Sequence, residues 1–184
     1  MKIWKILPLA LIAFALVATG CGEKSEETAK TEEAGEVQVA ESHEGVQWFD
    51  YETGMAKAAE ENKYVVIDFW TTWCHWCKVL DDKTYSQEIV QQRLADNFVA
   101  IKVNAESQDA QGTSAEAPTG ANLARKYGVN SYPTTWFIDS AGEPISPLPG
   151  FVEAPQFARV LDYVSTGAYK TQNFQEYMAA GEEG

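Results

Sequence analysis

Residues 64–78 read YVVIDFWTTWCHWCK. The first seven, Tyr64 to Trp70, form an unbroken run of β-branched, aromatic and apolar residues holding one charge, Asp68. That is the pattern of a strand buried on both faces. A helix is expected from Cys74 to about Lys83, so Cys74 falls at its N-terminus. There the unpaired N–H groups and the helix dipole favour a thiolate. A free thiol with pKa about 8.5 is only a few per cent ionised at neutral pH, and lowering it to about 7 ionises about half. The two-residue spacer, His75-Trp76, lets the second sulfur reach the first within one helical turn. Cys77, one turn in, is expected to be the more buried of the two. A carboxylate buried in the strand should have a raised pKa, so Asp68 is a candidate proton acceptor near neutral pH.

Outward from this stretch, strands and helices alternate. A short strand is expected at Val46–Trp48 and a helix at Tyr51–Asn62. A second helix should run from Ser86, as N-cap, to about Ala95. Phe98–Asn104 reads as the next strand, 105–120 as a long polar loop, and Asn122–Tyr127 as a helix stopped by Gly128. Thr134–Ile138 and Ile145–Leu148 read as a hairpin around Ser140-Ala141-Gly142, followed by a helix with Pro155 at its first position. In the C-terminal tail, residues 165–184, Phe174, Tyr177 and Met178 have the spacing of a short amphipathic helix, packed on the domain or offered to a partner. The class is α/β with a mixed central sheet flanked by helices.

Composition bounds the function. The chain has 184 residues, 45% of them hydrophobic and 12% aromatic, which suits one globular domain with appendages. Its net charge of -13 leaves no basic stripe for phosphates, so nucleic acid is not an expected partner. Three cysteines, Cys21, Cys74 and Cys77, are too few for a disulfide-built scaffold.

The N-terminus reads as an address. Lys2 and Lys5 precede an apolar run over residues 6–18, too short to span a bilayer comfortably, which needs about twenty residues. Small residues, Ala18-Thr19-Gly20, then lead to Cys21, the layout of a cleaved secretory signal over residues 1–20. Cysteine at the first mature position resembles the lipobox of bacterial lipoproteins, although Ala18 stands where that pattern has Leu. The resemblance implies lipidation of Cys21 and a membrane-anchored, extracytoplasmic protein, in the periplasm or on the outer surface of a bacterium. A plain signal before an incidental Cys, or an uncleaved anchor, are the alternatives. Residues 22–45 hold eight Glu, two Lys and no aromatic residue, the composition of a solvated, extended tether. His43 within it reads as incidental.

The folded part resembles the thioredoxin superfamily over residues 46–164. The carrying residues are Val65 to Trp70 leading to Trp73-Cys74-x-x-Cys77-Lys78, then Lys102-Val103-Asn104, Tyr127-Gly128-Val129, Tyr132-Pro133-Thr134 and Gly150. The spacing after the cysteines, Thr84-Tyr85-Ser86 and the loop before Asn122 look most like the C-terminal periplasmic domain of the DsbD interchange family. The resemblance implies a thiol–disulfide oxidoreductase without cofactor or metal, in which Cys74 is the nucleophile and Cys77 the resolving thiol. It makes Asp68 the acid that helps take the resolving proton, through water, and Lys102 its strand partner. Pro133 becomes a cis-proline facing the disulfide, and the backbone of Tyr132 a ladder for an extended substrate. Trp73, His75 and Trp76 are expected to shape the substrate face, the alternative being that the tryptophans merely pack.

Protein disulfides or thiols are the implied substrates, and a membrane electron donor the implied redox partner. The His75-Trp76 spacer replaces the usual Gly-Pro and does not set the direction of electron flow; the DsbD-like resemblance and the Asp68–Lys102 pair favour a reductase, with a disulfide donor as the alternative. Other readings stand beside these. The cysteines could bind zinc, for which only His75 is a nearby further ligand, or form a static disulfide. Asp68 and Lys102 could be a structural pair, and the fold could serve as a redox-inactive docking module.

Overall fold

The computed structural model describes residues 45–180. The expected signal segment, Cys21 and His43 lie outside the described residues, as does all of the tether but Gly45. Five strands, β1 (Trp48–Phe49), β2 (Tyr64–Trp70), β3 (Phe98–Asn104), β4 (Thr134–Ile138) and β5 (Pro144–Pro149), make one mixed sheet in the order β1-β3-β2-β4-β5. β3 runs parallel to β1 and β2, whereas β4 is antiparallel to β2 and β5. The apolar run of residues 64–70 is thus the central strand, hydrogen-bonded on both edges. β5 carries Pro144, Pro147 and Pro149, which lack ladder donors and are tolerated because this strand is an edge.

Helices cover both faces: α1 (Tyr51–Glu61), α2 (His75–Leu80), α3 (Glu88–Asn97), α4 (Gly120–Lys126), α5 (Ala154–Ser165) and α6 (Phe174–Ala180). The period of two along β2 sorts its side chains. Val65, Ile67 and Phe69 enter one core with Ala58 of α1 and Leu123 of α4. Val66 enters the other, with Leu80 of α2, Val90 and Leu94 of α3, and Phe157 and Leu161 of α5. Asp68, two residues after Val66, shares that second face, and Lys102 shares it through Phe98 and Ala100. The register places Asp68 opposite Lys102 on β3 and Thr135 on β4.

Several boundaries differ from the sequence reading, some by local capping and some by tertiary contact. β1 lies at Trp48–Phe49, where it pairs with Ala100 and Ile101. α2 does not stop at Lys83 but runs into a π-helical turn, Asp81–Tyr85, which buries Thr84 and Tyr85. Ser86 is therefore the end of that turn, with its hydroxyl donating to the Asp82 carbonyl, and Gln87 rather than Ser86 precedes α3. α4 begins two residues earlier than expected because the Thr119 hydroxyl accepts from the Asn122 N–H as N-cap. Gly128 closes it with φ 64°, the left-handed geometry that ends helices. Pro155 is the second residue of α5, since Ala154 is the first. The tail folds back on α5: Phe174 and Tyr177 pack against Tyr163 at 5.4 and 5.3 Å between ring centres.

Candidate active site

β2 ends at Trp70, and a tight turn through Thr71 and Thr72 delivers Trp73 and Cys74. The Cys74 N–H donates to the Thr71 carbonyl at 3.2 Å. Cys74 is the N-cap of α2, with φ -75° and ψ 105°, and its Sγ accepts the Cys77 N–H at 3.0 Å. The two cysteines are joined by a disulfide with Cα atoms 5.4 Å apart. The sequence reading expected Cys77 to be the more buried, but the two are alike, 3% exposed at Cys74 and 4% at Cys77. Capping explains this: Cys74 turns its sulfur onto the helix end instead of outward.

Aromatic rings take the exposed positions around the pair. Trp73 is 68% and Trp76 55% exposed, the two most exposed large apolar side chains among the described residues. Trp73 meets Tyr132 edge-on at 5.8 Å, and Trp76 stacks on Phe151 at 5.7 Å and meets His75 edge-on at 5.6 Å. The Tyr132–Pro133 peptide is cis, and the Pro133 carbonyl accepts the Gly150 N–H at 2.8 Å. Phe151 was not singled out from sequence. Its place follows from the β5–α5 connection returning to α2, a tertiary relation with no local signature.

Beneath, on the sheet face that α2 covers, Asp68 is 1% exposed. Burial pushes its pKa up to about 6, against the pull of Lys102, and Asp81 nearby adds to the rise. Lys102 Nζ lies 3.4 Å from Asp68 Oδ2 and is ion-paired with Asp81. It also sits 4.8 Å from the Trp48 ring centre and 5.7 Å from that of Tyr85. Asp68 Oδ1 has no hydrogen-bond partner among the described residues. The cage closes with Tyr85, whose hydroxyl is 3.3 Å from Thr135 Oγ1 and whose pKa burial raises. Sequence reasoning found Asp68 and Lys102 but missed Asp81, which sits at the start of the π-helical turn. One signal was available: an acid one helical turn beyond Cys77.

The site has chemistry of its own kind. A cysteine pair at a helix N-terminus can exchange between disulfide and dithiol, and a buried acid titrating near 6 can accept a proton at neutral pH. Among the described residues no group of three or more His, Cys, Asp or Glu side chains is placed to hold a metal ion.

Strand order and the Cys74–Cys77 pair at the start of α2 define a thioredoxin fold of the class that carries thiol–disulfide redox chemistry. The chain belongs to the thioredoxin-like domain family, whose model matches residues 51–165. It is similar to the thiol:disulfide interchange protein DsbD of Actinobacillus pleuropneumoniae, 31% identical over 106 residues, which are 56% of this chain and 17% of that protein. The likeness to DsbD proteins expected from the sequence is therefore found, while the chain spans under a fifth of the length of these curated relatives. Among solved structures, a thioredoxin from Thermus thermophilus matches with TM-score 0.53 and 26% identity, over 65% of this chain and 87% of that one. An oxidoreductase named DsbH matches in fold, with TM-score 0.56 and 16% identity over 81% of this chain and 96% of that one.

Proposed function

We propose that the protein is a membrane-held, extracytoplasmic enzyme that reduces protein disulfides. The observation that carries the reading is the Cys74–Cys77 disulfide at the N-terminus of α2, between two exposed tryptophans and on the sheet face of a buried acid. In the reduced enzyme the Cys74 thiolate attacks one sulfur of a substrate disulfide. A mixed S–S bond forms, the other substrate sulfur leaves as a thiolate, and that thiolate takes a proton from solvent. Cys77 then gives its proton to Asp68 and attacks the Cys74 sulfur. The Cys74–Cys77 disulfide closes, and the second substrate sulfur leaves as a thiolate that takes up the proton Asp68 releases. Two electrons and two protons pass to the substrate, and a membrane electron donor restores the dithiol.

Lys102 holds the Asp68 pKa within range by opposing the effect of burial. Trp73, His75, Trp76 and the Tyr132–Pro133 backbone receive the polypeptide around its disulfide. The similarity to proteins named for thiol:disulfide interchange supports this reading. The signal layout over residues 1–20, Cys21 and the acidic tether support attachment outside the cytoplasm.

Insulin reduction with a dithiol donor tests the reading: turnover should be measurable and abolished by Cys74→Ser. No turnover by the unaltered chain would leave a docking module. The Cys74–Cys77 potential tests direction: a value near the thioredoxin value of about −270 mV fits a reductase, and one near the DsbA value of about −120 mV a disulfide donor. An acyl mass on Cys21 of protein isolated from cells is expected, and its absence removes the anchor.

A further inference from the structure

Trp73 is the most exposed large apolar side chain among the described residues, yet it is tied down. Its indole N–H donates to Glu106 Oε1 at 2.8 Å. The other carboxylate oxygen accepts the Thr72 N–H and the Thr72 hydroxyl, both at 3.0 Å. These bonds, the Thr72 N–H foremost, hold the Glu106 carboxyl below its ordinary range, so it is a carboxylate at neutral pH. One side chain thus grips the turn that delivers Cys74 and the ring standing over it.

Glu106 is itself held. It begins the long loop over 105–120, where its N–H donates to Asn104 Oδ1 at 3.0 Å and the Ala105 N–H to the Trp70 carbonyl at 2.8 Å. The loop returns to its own base: Ala110 bridges Thr119, and the Ala121 N–H reaches the Ser107 carbonyl at 3.0 Å. Gly120 passes so close to β3 that a Cβ there would stand 2.0 Å from the Asn104 carbonyl oxygen. At the loop's tip the Glu52 carboxylate of α1 accepts the N–H groups of Thr113 and Ser114 at 2.7 and 2.9 Å.

We infer that Glu106 is a positioning residue: through Trp73 it fixes the substrate-facing indole before a polypeptide arrives, and so makes the 105–120 loop part of the specificity apparatus. The inference rests on the oxidoreductase reading and adds a residue to it. An exposed indole that is free to rotate must be immobilised when substrate docks, and a tethered one has already lost that freedom. Releasing it weakens polypeptide binding while leaving the sulfur exchange at Cys74 as it was.

The test has two arms, both on the full chain. In the first, Glu106→Ala should raise KM for insulin about three- to tenfold with kcat held within about twofold. In a Trp73→Phe background, which keeps the Thr72 bonds but has no indole N–H to grip, the same substitution should raise KM clearly less. An unchanged KM, a fall in kcat alone, or equal effects in both backgrounds would overturn the inference. In the second, NMR of the oxidised protein should show the Trp73 indole N–H resonance titrating in acid below the ordinary Glu range, and Glu106→Gln should abolish that titration. A Trp73 resonance indifferent to Glu106 also overturns it. If the unaltered chain reduces no disulfide but oxidises a dithiol peptide, the reductase direction fails. The KM comparison then moves to that peptide, where Glu106 predicts the same split.

Discussion

Asp68 carries opposite demands from stability and from chemistry. Its folded-state pKa of about 6 lies above the ordinary 3.8, so between these values the folded chain keeps a proton that the unfolded chain has released. Stability therefore falls as pH rises through that window, by about 3 kcal/mol for a shift of about two units, and the loss is complete at neutral pH. Asp68→Asn removes the buried charge and leaves Lys102 paired with Asp81, so no cation is orphaned. The variant should be more stable than the parent at pH 7 by about 1–3 kcal/mol and lose its pH dependence between about 4 and 6. Urea unfolding from pH 4 to 8 measures both, and a loss of stability at pH 7 would show that the Lys102 pair outweighs burial. Turnover should fall, since Asn accepts no proton from Cys77. Lys102→Met should move the same stability window upward in pH, because the lysine is what opposes the rise. Asp68 was legible in the sequence because a lone charge in a buried strand demands a reason. Asp81 offered only its spacing one turn beyond Cys77, because an acid on a helix needs no buried partner until the fold brings Lys102 of β3 to it.

The π-helical turn Asp81–Tyr85 shows at the scale of elements why the rest was hidden. The helical pattern after Cys74 is visible in the residues, but the extra residue in the turn is chosen by what Tyr85 can reach. Its ring packs edge-on against Trp48 at 4.9 Å and Phe157 at 5.5 Å, contacts across more than thirty and seventy residues of sequence. A propensity reading places a cap at Ser86, and packing moves it. The central strands, by contrast, could be delimited from sequence because burial on both faces leaves one continuous apolar signature. Tyr85→Ala should cost about 3–5 kcal/mol, as for a large buried aromatic, while Lys83→Ala in the same turn should cost under about 0.5 kcal/mol. Gly120→Ala is the matching test of the loop. With a Cβ 2.0 Å from a backbone carbonyl, either β3 or the loop must shift, at a cost of about 1–3 kcal/mol. Denaturant midpoints for the three variants decide these orders.

For the whole molecule, the question is whether the tail belongs to the chemistry or to the scaffold. Its aromatic and hydrogen-bond contacts run mainly to α5: Phe174 and Tyr177 pack on Tyr163, Arg159 lies 5.0 Å from the Tyr177 ring centre, and the Tyr163 hydroxyl donates to the Gln172 carbonyl at 2.6 Å, while Phe174 also lines a cavity with Phe137 of β4 and Leu148 of β5. The aromatic face at Cys74 is built instead from α2, the Tyr132–Pro133 turn and Phe151. Ending the chain at Thr171 uncovers Tyr163 and the apolar surface along α5 but touches nothing around the cysteines. Loss of two partly buried aromatic side chains should cost about 2 kcal/mol, or about 5–10 °C in Tm for a domain of this size. Insulin turnover at 25 °C should stay within about twofold of the full chain, since nearly all molecules remain folded after a loss of about 2 kcal/mol. A thermal scan and an initial rate decide the matter together. Lost stability with kept turnover makes the tail a brace on α5. Kept stability with lost turnover would make it a docking arm for the substrate or the electron donor, placing recognition far from the pair that exchanges sulfur.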